Sequence, residues 1–427
     1  MVQEFTICGA GIAGLYTAYK LLLINPNFKI TIIEKNKYIG GRVNVTSFCG
    51  VNVPIGAGIG RKNKDHLLIQ LLDDLRLQYH EGVTSSQHIG HETVDLRNII
   101  EKLRIVYKNN PVHEPFSKFA QRTINKETYE NFVINTGYSD FNKTDAYDVL
   151  YNYGINDTYE NVKIIYVPWN DMINALVHFI KSKGSIIKLG YTVHNFRDNI
   201  LYYTKTNSPN IKTMNKIDIS KNNKLIIATT ISHVKKLLPK YKIYNSISAT
   251  PFMRIYGQFA NNVRNIIADK ISKTTILNKP LQEIIPINPE NGVYMIVYND
   301  NGSAIKLYNK LSKLNNTSTE ITSNNIGPYT PHYNNKCITY IEQLLAKALE
   351  LPRINIKLNK IAIYFWSEGT HYFKPLPDKY NNRNDFIKHA QYPDKNTYVV
   401  GESVAQHQGW CEGALASVEN IIKDLAI

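Results

Sequence analysis

Backbone amides, a carboxylate and a guanidinium recur near the start of this chain at spacings suited to holding a nucleotide: Gly9-Ala10-Gly11-Ile12-Ala13-Gly14, then Glu34, then Gly40-Gly41-Arg42. In such a turn Gly9 permits the tight bend, Gly11 lets the backbone approach a pyrophosphate, and Gly14 lets a helix pack closely on a strand. The helix start then offers unpaired N–H groups to the anion. A carboxylate at Glu34 can accept hydrogen bonds from both hydroxyls of a ribose, whereas a 2′-phosphate would be repelled. The expected ligand is therefore an adenosine diphosphate such as FAD or NAD.

These residues need a particular scaffold, and the local pattern supplies it. Residues 5–8 read as a short buried strand, 12–23 as an apolar helix and 29–33 as a second strand, together a βαβ unit. At the far end, 397–400 is an expected strand ending in Gly401-Glu402-Ser403. Trp410-Cys411-Glu412-Gly413-Ala414 opens an apolar-periodic helix to about residue 425, whose N-terminal amides could face a negatively polarised group. Taken alone, that block reads as an ordinary C-terminal strand and helix. Between the ends, the period predicts helices over 66–77, 94–107, 143–153, 170–182 and 337–349. Strands are expected within 51–60 and at 185–188, 191–196, 224–229, 251–259 and 293–298. Segments 207–223 and 315–325 are polar enough to be exposed loops, and no internal repeat is present.

The chain has 427 residues, 43% of them hydrophobic, which suits a globular enzyme of two to three domains. No apolar run is long enough to span a bilayer, and no secretory leader pattern precedes the glycine turn. Cys8, Cys49, Cys337 and Cys411 show no paired spacing, so neither a disulfide framework nor a metal site is expected, and the expected setting is an intracellular, reducing compartment. The net charge of +15 is spread through polar stretches without an Arg-rich block, which argues against a nucleic-acid partner. Abundant Asn, Ile, Lys and Tyr match the bias of AT-rich genomes, including those of many large DNA viruses.

The two ends together resemble the flavin-containing amine oxidase superfamily, which includes monoamine, polyamine and L-amino-acid oxidases. Glu34 followed by Gly40-Gly41-Arg42 is similar to the family's acid-to-GGR spacing, and Ile55-Gly56-Ala57-Gly58-Ile59-Gly60 resembles the glycine-rich segment that lines the flavin. Residues 191–196 resemble the segment whose backbone holds the adenine, around Val193, and 225–238 resembles the return to the nucleotide-binding domain. Gly401-Glu402 and the 409–414 stretch are similar to the C-terminal flavin signature. The resemblance implies FAD rather than NAD, with Glu402 near the ribityl-phosphate region, the backbone around Cys411 and Ala414 at the flavin, and Gly41 and Gly58 against the cofactor. Arg42 would neutralise the pyrophosphate with paired hydrogen bonds that lysine could not make in the same geometry. A structural salt bridge is its alternative role.

The implied fold is α/β, a Rossmann-like FAD-binding domain (1–62, 160–250 and 370–427) with an interleaved α+β substrate domain (63–159 and 251–369). The implied reaction is oxidation of a small-molecule amine to an imine, with oxygen as acceptor and hydrogen peroxide as product. Relatives often flank the substrate with two aromatic rings, for which Trp410 and Tyr372 are the candidates. The strand 252–259 resembles the one carrying the family's active-site lysine, but Arg254 occupies that position. Its permanent charge could stabilise reduced flavin, bind a substrate carboxylate, or displace a water and slow reaction with oxygen. Two alternatives follow: an FAD-binding protein without oxidase turnover in a structural or interaction role, and a desaturase or porphyrinogen-oxidase-like flavoenzyme. His371, His407 and Cys411 read as structural, since hydride transfer from a neutral amine needs no strong base and no resolving thiol is near.

Overall fold

The computed structural model describes residues 3–155, 161–206, 214–220, 222–315 and 334–425. Strands Glu4–Cys8 and Lys29–Glu34 pair in parallel, Glu4 opposite Lys29 and Cys8 opposite Ile33. Their side chains feed two cores. Ile7, Ile32 and Ile226 pack on one face of the sheet with the helices, while Cys8, Ile33 and Ile227 pack on the other. Burial on both faces is why these strands read as continuous aliphatic runs instead of alternating. The completed sheet has five parallel strands in the order Thr397–Val399, Asn223–Ile227, Glu4–Cys8, Lys29–Glu34, Ile186–Leu189. It is a Rossmann-like α/β arrangement assembled from both ends of the chain.

The helix Ile12–Ile24 buries Leu15, Ala18, Leu21 and Leu22 against helices Trp169–Ser182 and Cys411–Leu425. Each of the three leucines contributes roughly 1.5–3 kcal/mol on burial. At the rim, Tyr16 donates to Glu419 at 2.5 Å and Lys20 pairs with the same carboxylate at 2.8 Å.

Interleaved with this unit is an α+β part. A six-stranded sheet runs in the order Leu358–Phe373, Ile247–Phe259, Val293–Asp300, Glu283–Asn288, Thr274–Ile276, Ser86–His88. Beside it, helices Leu96–Asn109, Phe116–Ile124, Lys126–Asn135 and Ala146–Tyr151 share their own apolar core. The strands Ile247–Phe259 and Leu358–Phe373 pair along their length, so the expected boundaries after residues 250 and 369 fall inside them, where Thr250 lies opposite Thr370. The expected boundary at 159/160 lies outside the described residues.

Two expectations need correction or extension. Within 207–223, expected as loop, Asn215–Asp218 is an edge strand pairing with Ile200–Lys205, with Ile217 opposite Leu201; residues 207–213 and 221 lie outside the described residues. One apolar contact in a polar segment suffices for an edge strand but leaves little periodicity to read. Of the second expected loop, 316–325 likewise lies outside the described residues. The sequence reading did not anticipate the helices Phe116–Ile124, Lys126–Asn135, Asn301–Leu314 and Arg383–Gln391.

Gly14 tests the close packing behind the turn, because a Cβ there would lie 2.1 Å from the Gly9 carbonyl oxygen, an unmovable backbone atom. Gly14→Ala is expected to destabilise the chain by at least about 2 kcal/mol in urea unfolding, and unchanged stability would contradict this packing.

Candidate functional site

The glycine turn lies at the carboxyl end of the central strand, the position at which open α/β sheets bind ligands. Gly9 has φ +104°, and a Cβ there would lie 2.4 Å from the Ala228 carbonyl oxygen. Gly11 caps the helix Ile12–Ile24 with no side-chain acceptor for the first-turn amides, and nothing lies within 4 Å of where its Cβ would be. The first-turn amides thus have no acceptor on the cap residue, and the space beside the Gly11 α-carbon is open, which suits an anion site. Gly40 bridges to Gly11, and Gly41 stands close enough for its Cβ to touch the Gly11 Cα at 3.4 Å.

Glu34 ends the second strand and is buried. Its Oε2 accepts the Ala10 N–H at 2.9 Å and its Oε1 the Asn36 N–H at 2.8 Å, which fixes the carboxylate at the lip of the turn while leaving lone pairs on both oxygens. Burial raises its carboxyl above the ordinary value, against the lowering effect of those two amides. Tyr38 lies within electrostatic reach of Glu34, and its Oη is buried without a hydrogen-bond partner. An open helix start, a fixed acceptor and an orphan hydroxyl fit the sugar and pyrophosphate of a dinucleotide. Val193 is buried at a β-bulge, and its carbonyl accepts from His233 Nε2 at 2.9 Å. The protein itself thus uses one lone pair of this carbonyl.

Glu402 organises the other side. Its Oε1 accepts the backbone N–H of His371 and of Gly409, both at 2.7 Å; its Oε2 faces His371 Nδ1 at 2.5 Å and accepts from Arg42 Nη1 at 3.1 Å. Burial alone would raise this carboxyl, but His371 and Arg42 hold it well below the usual carboxylate range. His371 also accepts the Ile231 N–H through Nε2 at 3.2 Å, in keeping with a structural role. Arg42 spends Nη1 on Glu402 and on the Gly369 carbonyl at 2.6 Å. The structural ion pair weighed for Arg42 is therefore present, and a pyrophosphate contact would use the rest of the fork. Gly401, with φ +119°, donates its N–H to Ser417 Oγ at 2.7 Å and faces Ala13 on the first helix.

Trp410 does not meet Tyr372. The guanidinium of Arg61, itself held by Asp65 at 2.6 Å, lies 3.9 Å from the centre of the Trp410 ring. Tyr372 instead lines a surface pocket of about 410 Å³ with Ser232, Lys235, Ser248 and Glu368. No ring contact joins the two residues among the described residues, and the Trp410 ring is backed by the Arg61 cation. Thr370, two residues earlier on the same strand, is the residue that approaches Gly409.

Cys411 begins the last helix and Ala414 is buried on its inner side. Burial, then Asp65 and Glu412, push the Cys411 thiol far up, which makes it inert. Glu412 accepts the N–H groups of Leu67 and Leu68 at 2.9 and 3.0 Å, capping the helix His66–Asp74.

Arg254 is buried and donates to the Pro54 carbonyl at 3.2 Å. Its Nη2 lies 3.4 Å from where a Cβ on Gly58 would be, and Trp169 Nε1 reaches the Gly58 carbonyl at 3.3 Å. Arg254 thus faces the glycine-rich segment. Around it stand buried acids absent from the sequence reading. Asp140 accepts from Tyr153 and from Thr370 at 3.2 Å, and burial with repulsion from Asp300 raises it to about 7. Asp300 is held by Ser139 and lies 3.5 Å from Lys279 Nζ. Glu283 is raised to about 8 by burial and by Asp300, against Arg254. In sequence these acids sit in polar stretches with no motif, and only three-dimensional folding brings them together.

The sequence profile of the family described as the NAD(P)-binding Rossmann-like domain matches residues 7–75, the segment that carries the turn, Glu34, Arg42 and Gly58. An uncharacterised protein of Acanthamoeba polyphaga mimivirus is 20% identical over 502 residues, covering 98% of this chain and 93% of that protein. Among solved structures, a candidate protoporphyrinogen oxidase from Exiguobacterium is similar at 12% identity and TM-score 0.65, and a putrescine oxidase redesigned in its cofactor binding at 13% and 0.67. Each covers 100% of this chain and 99% of its own. The chain therefore shares their fold from end to end. No helix among the described residues is long and apolar enough to cross a membrane.

Removing the negative charge of Glu402 leaves His371 and Arg42 facing a neutral, partly donating group. Glu402→Gln is expected to cost about 3–5 kcal/mol at pH 7. Because the folded carboxyl lies below its unfolded value of 4.5, its stabilisation is present above that pH and is lost as pH falls through the folded value. Urea unfolding at pH 7 and pH 4 should show the gap between wild type and Glu402→Gln narrowing in acid, and a constant gap would contradict the assignment.

Proposed function

We propose that this chain is an FAD-dependent oxidoreductase that oxidises a small-molecule amine. The observation that carries the reading is the convergence of both ends of the chain: Arg42, beside the glycine turn, is bonded to Glu402 in the C-terminal block, while Gly58 lies between Trp169 and Arg254. Such a continuous path, from Glu34 through the helix start to Arg254, suits a dinucleotide whose far end carries the chemistry. The shared fold with a putrescine oxidase and a candidate protoporphyrinogen oxidase supports a redox role. The mimivirus relative supports the viral reading of the composition.

On this proposal Glu34 takes the ribose hydroxyls, Val193 the adenine, and the amides at Gly11 and Gly14, with Gly9 and Gly41 clearing the approach, take the pyrophosphate. Arg42 adds positive charge there, and Gly401 and Glu402 set its position. Gly58, Cys411 and Ala414 border the far end of the cofactor. The nucleotide-binding domain comprises 1–62, 160–250 and 370–427, and the substrate domain 63–159 and 251–369. When bound, FAD would supply the two-electron oxidation of the amine to an imine, with oxygen as electron acceptor and hydrogen peroxide as product. Arg254 holds a fixed positive charge beside the reacting nitrogen, which disfavours its protonated form, and Trp410, stiffened by Arg61, screens it from water. The separation of Tyr372 from Trp410 supports a second reading, a porphyrinogen-oxidase-like flavoenzyme without an aromatic pair.

Anaerobic incubation with a panel of amines and amino acids should bleach the flavin absorbance of purified protein, with peroxide appearing on readmission of oxygen. Failure of every member to reduce bound flavin would end the amine reading. Arg254→Met should slow reduction by the best substrate on the order of tenfold or more, and an unchanged rate would remove Arg254 from the site.

A further inference from the structure

Tyr372, which the fold keeps apart from Trp410, lines a pocket of about 410 Å³ that shares no lining residue with the nucleotide cradle. The pocket lies between the helix Ile231–Leu237, which contributes Ser232 and Lys235, and the paired strands Ile247–Phe259 and Leu358–Phe373, which contribute Ser248, Ser367, Glu368 and Tyr372. Its size falls within the range of about 300–1,000 Å³ usual for small-molecule sites. Ser248 stands directly opposite Tyr372 in the ladder, so the two side chains share one face. Lys235 reaches the same end, where its Nζ donates to the Ile247 carbonyl at 2.7 Å. At the other end Ser232 donates to Glu368 Oε1 from its N–H at 3.2 Å and from its hydroxyl.

Much of the polar capacity around this pocket is unspent. The hydroxyls of Ser248, Ser367 and Tyr372 make no hydrogen bond to another described residue, and the Tyr372 ring makes no aromatic or cation contact with one. Lys235 uses one of its three N–H groups on Ile247 and keeps two. Glu368 is 9% exposed; of its about four lone-pair positions Ser232 fills two and Thr230 another, so acceptor capacity remains. Burial would raise the Glu368 carboxyl, but Ser232, Thr230 and His371 hold it below its ordinary value, so it is an anion at pH 7. Lys235 is the cation of the lining, with Lys374 within electrostatic reach behind it.

The balance of charge narrows the ligand. A free anion would meet the Glu368 carboxylate, and a free cation would meet Lys235 and Lys374. A neutral molecule rich in hydroxyls meets neither penalty, because each hydroxyl can donate to Glu368 or accept from Lys235, and the serines serve either way. The uncommitted Tyr372 ring adds an apolar face for the C–H side of such a molecule, with its own hydroxyl at the edge. We propose that this pocket is a second binding site, for a neutral polyhydroxylated ring of the carbohydrate class, hydrogen-bonded by Glu368 and Lys235 and stacked on Tyr372. The site stands independently of the amine-oxidising reading, since none of the residues assigned to the cofactor lines it.

The test is titration of the full chain, as purified, with D-glucose, D-galactose, D-mannose and myo-inositol, followed by ligand-observed NMR, beside glycine, inorganic phosphate and butylamine as charged comparisons. At least one of the four polyols is expected to bind wild-type protein with a dissociation constant of about 10 mM or tighter. Tyr372→Ala should weaken that binding on the order of tenfold by removing the ring. Tyr372→Phe, which keeps the ring and loses only the hydroxyl, should stay within about threefold of wild type and guards against a folding defect in the first variant. Glu368→Gln, which removes the charged acceptor, should weaken the same polyol by about tenfold. Absence of binding by all four polyols up to about 50 mM, undiminished binding in Tyr372→Ala, or a Tyr372-dependent preference for glycine, phosphate or butylamine over the polyols would overturn the proposal.

Discussion

The buried carboxylate of Glu402 is the interaction on which the rest of this site depends. It receives the backbone and ring of His371, the N–H of Gly409 and the guanidinium of Arg42, and so joins the glycine-turn segment, the long strand Leu358–Phe373 and the C-terminal block at one point. A buried ion of this kind is tolerated only when its lone pairs are filled, and here every bond that fills them also positions a part of the nucleotide cradle. The central sheet reinforces the knot, because Thr397–Val399, the strand leading into Gly401, pairs with Asn223–Ile227 and through it with the first strand.

On the proposed function the molecule separates binding from chemistry around that point. The glycine turn, Glu34 and the helix start are made of backbone and one acid, which suit holding a nucleotide without reacting with it. Arg254, Tyr298 and Glu283 stand in a row on the other sheet, Tyr298 opposite each of the other two. Paired strands crossing at Thr250 and Thr370 connect the two, so the cradle and the row are set relative to each other by continuous β-structure and not by a flexible tether.

The cradle was legible in the sequence because its constraints are local. Gly9 and Gly14 are demanded by backbone contacts with Ala228 and with each other, and the first strand, helix and second strand follow one another without interruption. The partners of Glu402 and Glu412 were not legible, since the bonds to Arg42, Leu67 and Leu68 join residues hundreds of positions apart and those to His371 and Gly409 cross stretches with no periodic signal. Tyr372 lines a surface pocket with Ser232, Lys235 and Glu368, a placement set by long-range strand pairing that local sequence does not carry. Glu283, Asp140 and Asp300 sit in unremarkable polar stretches, and their chemistry exists only through the burial that the fold imposes.

The central claim is that this cradle holds FAD with its reactive end toward Arg254. Its most direct test is to purify the native protein, record its visible absorption, and identify the nucleotide released on denaturation by mass. The account predicts an oxidised-flavin spectrum and release of FAD. A colourless protein that yields only NAD or NADP, or no nucleotide at all, would contradict it.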